Sequence, residues 1–412
     1  MKKRIRHAFR ILRNEGLLSL LIISLISIQK KQRRKSKSER YKARLNMPVK
    51  YADAVVADPG QSLTKWAGTS KTSLTFNWIM PPPGKGSGGH LNIFRFIKFL
   101  EDAGHTNRIY LYTQGEHGPA SGVRSVMGDS YPELDAGMEW LEDGKQMAPA
   151  DGIFPTSWET AYPAFNSTLI ARRFYFVQDF EPYFYPVGSM STLAENTYRF
   201  GFFGITAGGW LAKKLHTEYG MRTDSYNFGA DTNLYKFTNS GKRNEIFFYV
   251  RPFTERRGFE IGIMALDIFH RKHPDYTINL AGWDVSEHMI PFPYKNLKTL
   301  ELSELSELYN KCAAGLVLSF TNMSLLPLEL LASGAIPVVN DGGNNRLVSD
   351  NTYIGYSFPN PVSLASKLSE VVMRNEPGEY ARKASESIIE SSWADSGRKF
   401  VEVIEKETRT GE

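Results

Sequence analysis

Residues 315–343, GLVLSFTNMSLLPLELLASGAIPVVNDGG, decide the fold. Gly315–Phe320 is a short apolar run that reads as a buried strand, and Ile336–Asn340 reads as another. Between them Ser324–Ser333 reads as a helix whose start is fixed by Pro327, since proline is tolerated only in a first turn. Strand, crossover helix and strand make a βαβ unit, which implies a parallel sheet. Working outward, Glu245–Val250 reads as a strand, Gly258–His270 as a helix, Tyr276–Gly282 as a strand and Ser303–Lys311 as a helix. An earlier series starts near residue 71, with Ser73–Met80 a strand, Pro81–Gly89 a loop, His90–Ala103 an amphipathic helix and Arg108–Tyr112 a strand. Two successive α/β series predict two doubly wound, Rossmann-like domains. Gly229, Asp231 and Asn233 mark their seam, near Phe228–Lys236.

The 412 residues, 42% hydrophobic and 13% aromatic, suffice for two cores and exclude a disordered or fibrous chain. A single cysteine, Cys312, cannot close an intramolecular disulfide, which favours a reducing compartment. Residues 1–45 hold 15 Lys and Arg against 2 Asp and Glu, whereas the rest of the chain holds 35 against 42. The basicity therefore belongs to an N-terminal arm, and the body offers no polyanion-binding charge; no nucleic acid partner is expected. Within the arm, Leu17–Ile28 is apolar and lies between basic clusters. As a helix it would reach about 18 Å, too short for a bilayer of about 30 Å. It reads as an interfacial helix for an anionic membrane surface or, alternatively, as a docking helix. The expected division is this arm over 1–45, a first domain over 46–233, a second over 234–385 and a terminal segment over 386–412.

Several chemistries need spacings that are absent. The sequence has no HExxH, CxxC, GxSxG or Asp-x-Asp, so no metal site and no cofactor are expected. The stretch PPPGKGSGGH carries Gly84, Gly86 and Gly89 between a strand and a helix, the context of a phosphate cradle. Dinucleotide binding would also need an acidic residue after the second strand, where Thr113 and Gln114 stand. A glycine loop remains, able to approach an anion or a sugar, or to serve as a plain turn.

The second series resembles the retaining glycosyltransferases of the large nucleotide-sugar family four, which have the GT-B fold. The resemblance runs through FFYVRPFTERRGFEIGIMAL, YTINLAGWD, LSELSELYNKC and residues 315–343. It extends upstream to GGHLNIFRFIKFLEDAGH and FGADTNLY. It implies Arg251, Arg257, Gly282, Thr321, Ser324, Leu325 and Glu329 as the donor-binding set. Of the family's two glutamates, Glu329 fills the second position, but Thr321 stands at the first. It further implies two Rossmann-like domains facing across a cleft, with a last helix near Ser391–Glu407 crossing back to the first domain. In that first domain, FVQDFEPYFYPVGS and TYRFGFFGITAGGWLAKKLHTEYG are similar to bacterial rhamnosyltransferases of surface, S-layer type, glycans. That similarity implies a dTDP-L-rhamnose donor and a rhamnose-bearing acceptor, lipid-linked at the cytoplasmic face of the plasma membrane.

The chemistry at these positions can be argued independently. A nucleotide diphosphate leaving group gains negative charge as the glycosidic bond breaks, and the forks of Arg251 and Arg257 suit phosphate oxygens. The start of the helix at Ser324 adds free N–H groups, and Glu329 can accept from ribose hydroxyls. Gly88, Gly89, His90, Asp179 and Glu181 are the expected acceptor-side residues. Asp179, His90 and Arg257 are the candidates for catalysis. Phe154–Tyr185 holds 11 aromatics in 32 residues, most of them expected in the core. Two rivals remain: a GT-B epimerase or phosphorylase, and a non-enzymatic scaffold that works through the arm.

Overall fold

Thirteen strands form among the described residues because short β-branched and aromatic runs alternate with amphipathic helices. The computed structural model describes residues 47–84, 87–115, 117–127, 131–323, 325–388 and 393–411. The basic arm over 1–45 lies outside them. Residues 52–412 form one compact unit.

The first sheet has seven strands: β1 (Thr75–Met80), β2 (Thr106–Leu111), β3 (Gly137–Trp140), β4 (Gly152–Pro155), β5 (Arg172–Val177), β6 (Phe203–Ala207) and β7 (Thr223–Tyr226). Their order is β3-β2-β1-β4-β5-β6-β7. The second has six: β8 (Glu245–Tyr249), β9 (Thr277–Ala281), β10 (Lys295–Lys298), β11 (Cys312–Val317), β12 (Ile336–Asn340) and β13 (Gly355–Ser357), in the order β10-β9-β8-β11-β12-β13. Every pairing is parallel. Helices cover both faces of such sheets, which is why β4, β6 and β12 are buried at every residue. Two facing Rossmann-like domains are the GT-B arrangement expected from the sequence.

Two close approaches hold the second domain together. A Cβ on Gly262 would fall 2.1 Å from Phe248 Cζ, so only glycine lets the helix Phe259–Lys272 lie against β8. Gly258 starts that helix at φ +59°, and a Cβ there would meet the Phe320 ring at 2.9 Å.

In the first domain, Phe154 stacks between Trp78 and Phe174 at 4.3 and 4.5 Å. The last helix, Trp393–Thr410, returns to this domain. Its Phe400 meets Phe96, Phe154 and Phe176 with centroids 4.8, 6.3 and 6.3 Å apart. Farther along, the Glu407 carboxylate pairs with Arg172 and, at 3.1 Å, with Arg222.

Most boundaries shift by one to three residues from the sequence reading, and three of the shifts bear on the site. The helix expected from His90 begins at Gly88 and shortens the glycine loop. Strand β11 ends at Val317 rather than Phe320 because asparagine side chains take over the backbone beyond it: Asn340 Oδ1 accepts from Ser319 N at 2.8 Å, and Asn340 Nδ2 donates to Ser319 O at 2.8 Å. The helix read as Ser324–Ser333 spans Leu326–Ala332, with Pro327 as its second residue.

Candidate active site

In an open parallel sheet, ligands bind beyond the C-terminal strand ends, where the strand order reverses. Those points are β1/β4 in one sheet and β8/β11 in the other, and both open onto one cleft of about 790 Å³. Its size suits a nucleotide sugar.

The first domain contributes Gly88, Gly89, Asp179 and Glu181 to the walls. The second contributes Arg251, Arg257, Gly282, Leu325 and Glu329. The cleft therefore brings together most of the residues singled out from the sequence. Ser324 lies outside the described residues.

The cationic side is built by the turn after β8. Tyr249, the last residue of that strand, holds Arg251: its hydroxyl accepts from Arg251 Nε at 2.7 Å. A short 3₁₀ turn, Glu255–Arg257, presents two more guanidinium groups before Gly258 ends it. Arg257 donates to Ser319 Oγ at 3.0 Å. Arg256 stacks on Phe184 of the first domain at 3.9 Å and stands 3.7 Å from the Asp179 carboxylate. Burial, then the neighbouring Arg257, lowers the Arg256 pKa from its ordinary value. Three arginines thus converge where the sequence pattern pointed to two.

Glu329 lines the same cleft from the helix Leu326–Ala332. No described group donates a hydrogen bond to its carboxylate, and burial pushes its pKa up to about 7. Arg95 pulls the value down and Asp231 pushes it up. In the free protein this is an acceptor waiting for a donor. A folded pKa above the ordinary value of 4.5 means that the folded state binds the extra proton between pH 4.5 and 7. Stability therefore falls as pH rises through that window. Glu329→Gln is expected to be more stable than wild type by about 1–3 kcal/mol at pH 8 and equal to it near pH 4.5. Denaturant titrations at the two pH values check this.

In the first domain, Glu181 is half-buried. It accepts from Trp158 N at 2.5 Å, and its pKa is raised well above the ordinary value by burial and then by Glu159. Of the aromatic run, only Phe184 lines the cleft; Phe154, Trp158, Tyr162 and Phe174 are core.

Three expected residues are engaged by protein partners. His90 turns back on its own loop, with Nδ1 2.9 Å from Ser87 Oγ and Nε2 3.1 Å from Pro81 O, and burial lowers its pKa. It does not line the cleft. Thr321 is 1% exposed and donates to Asp179 Oδ2 at 2.8 Å instead of facing a donor sugar. Asp179 Oδ1 accepts from Asn322 N and Phe180 N, each at 2.8 Å, so both carboxylate oxygens are taken. The pair Asp179–Thr321 is an interdomain tie. Asn322 reinforces it through Nδ2, which donates to Gln178 O at 3.0 Å and Ala207 O at 2.8 Å.

Sequence reasoning missed Asn92, Gln178, Tyr235, Arg256 and Asn322, all of which line the cleft. Arg256 had a signal, its place beside Arg257. The others are ordinary polar or aromatic residues whose roles depend on the domains meeting. No helix among the described residues is long and apolar enough to cross a membrane.

The family described as "WsaF, C-terminal domain" matches residues 244–369. The chain is 29% identical over 331 residues to the O-antigen biosynthesis protein RfbC of Myxococcus xanthus. That stretch is 77% of this chain and 26% of that protein, so the chain spans about a quarter of its relative's length. Among solved structures it is similar to Anabaena Alr3699/HepE in complex with UDP and glucose, at 13% identity and a TM-score of 0.63 over 81% of this chain and 100% of that one. A glycosyltransferase from Rickettsia africae ESF-5 gives 14% identity and a TM-score of 0.58, covering 82% and 99% of the two chains. These likenesses show a fold of the GT-B type.

Proposed function

We propose that the chain is a glycosyltransferase that moves a sugar from a nucleoside diphosphate to a glycan. One observation carries this reading: Arg251, Arg256 and Arg257 converge on a nucleotide-sized cleft that Glu329 and the glycine loop also enter. The bond from the sugar's anomeric carbon to the diphosphate oxygen breaks, and negative charge grows on that oxygen where the three guanidinium groups stand. An acceptor hydroxyl forms the new bond on the same face, with retention, and its proton passes to the departing phosphate. A base at Asp179 is not required, which agrees with its occupied oxygens. Glu329 accepts from the ribose and the arginines hold the diphosphate without a divalent metal.

The donor is dTDP-L-rhamnose and the acceptor a rhamnose-containing surface glycan, lipid-linked. This finer reading rests on residues 176–189 and 197–220 and on the relative's role in O-antigen biosynthesis. The basic arm holds the enzyme on the anionic membrane face where such an acceptor resides. Incubation with labelled dTDP-L-rhamnose and a rhamnoside acceptor in EDTA should give the labelled disaccharide. An isomerised nucleotide sugar without transfer would mark an epimerase, and activity restored only by magnesium would sink the metal-independent reading.

A further inference from the structure

Beside the cleft, the second domain leaves aromatic rings in solvent. Phe253 is 77% exposed and Trp283 42% exposed. They meet edge to face, with centroids 5.5 Å apart and planes at 79°, so that they form a corner. The His288 ring stands 6.4 Å from Phe253 and 5.2 Å from Phe259, which backs the corner. No described acceptor is in reach of the Trp283 indole N–H. The corner is continuous with the cleft: Phe253 lies between Arg251 and Thr254, Trp283 follows Gly282, and those three neighbours are wall residues.

A pyranose suits this shape. One of its faces is C–H, which packs on an aromatic face, while the hydroxyls at its rim find the indole N–H. A nucleobase is flat, but the rings lie outside the enclosed part of the cleft, where Glu329 would hold the ribose. We propose that Phe253 and Trp283 extend the active-site cleft as a carbohydrate platform, on which sugars of the acceptor glycan beyond the reacting one stack. This rests on the glycosyltransferase reading above.

The test compares a monorhamnoside with a tetrarhamnoside as acceptor, using the full chain, wild type and Phe253→Ala/Trp283→Ala. The double variant should lose about tenfold or more in kcat/KM on the tetrasaccharide, leave the monosaccharide unchanged and keep wild-type dTDP affinity. Trp283→Phe should recover most of the loss. Equal losses on both acceptors would overturn the proposal. Loss of dTDP affinity would reassign the corner to the nucleobase. A shift of Trp283 emission on deleting residues 1–45 would show that the arm covers it. Should the wild type transfer nothing from any nucleotide sugar, the functional reading fails. The platform is still tested by direct titration: tetrasaccharide should quench tryptophan emission in wild type and not in Trp283→Phe, and no quenching in wild type overturns it.

Discussion

Arg257→Ala is expected to lower kcat by about 10²–10³-fold while changing dTDP affinity by less than about tenfold. The Arg257 guanidinium is fixed by Ser319 Oγ at 3.0 Å, and Gly258 turns the chain just after it. On the proposed reading it is poised before the charge it serves has developed, and its attraction grows as the diphosphate leaves. Arg257→Lys should recover little, because a single ammonium cannot meet two phosphate oxygens while keeping the contact to Ser319. Steady-state kinetics and calorimetry with dTDP separate the two effects. Equal losses in affinity and turnover would mean that Arg257 binds ground state and transition state alike.

Asp179→Ala is expected to destabilise the closed pair of domains by about 2–4 kcal/mol. The substitution strips partners from Thr321 Oγ1 and Asn322 N and leaves Arg256 without its carboxylate. Asp179→Asn keeps an acceptor oxygen and should lose roughly half as much. Thermal melts should fall in that order, and the radius of gyration should rise in the alanine variant. A catalytic base would behave differently: both variants would be inactive and equally stable.

The strands and helices around residues 315–343 were legible because parallel strands buried on both faces are written as apolar runs. Ile336–Asn340 agrees with β12 residue for residue. The end of β11 was not legible, since Asn340 reaches it from the neighbouring strand and nothing within residues 315–320 records that. The same physics divides the site. Arg251 and Glu329 sit on short local motifs and could be picked out. The engagement of Thr321 by Asp179 joins residues 142 positions apart, and its signal was only that threonine stood where a carboxylate was expected.

The return of the last helix to the first domain fixes the order in which the protein can be made. Synthesis delivers Phe96, Phe154 and Phe176 first, but their partner Phe400 follows only after the whole of the second sheet. Strands β8 to β13, by contrast, are all released before Trp393. The first of the two domains is thus the second to be finished, and until then its apolar surface is open to the solvent or to a chaperone. Once residue 390 has emerged from the ribosome, the second sheet and its helices are complete while the first domain still lacks a layer.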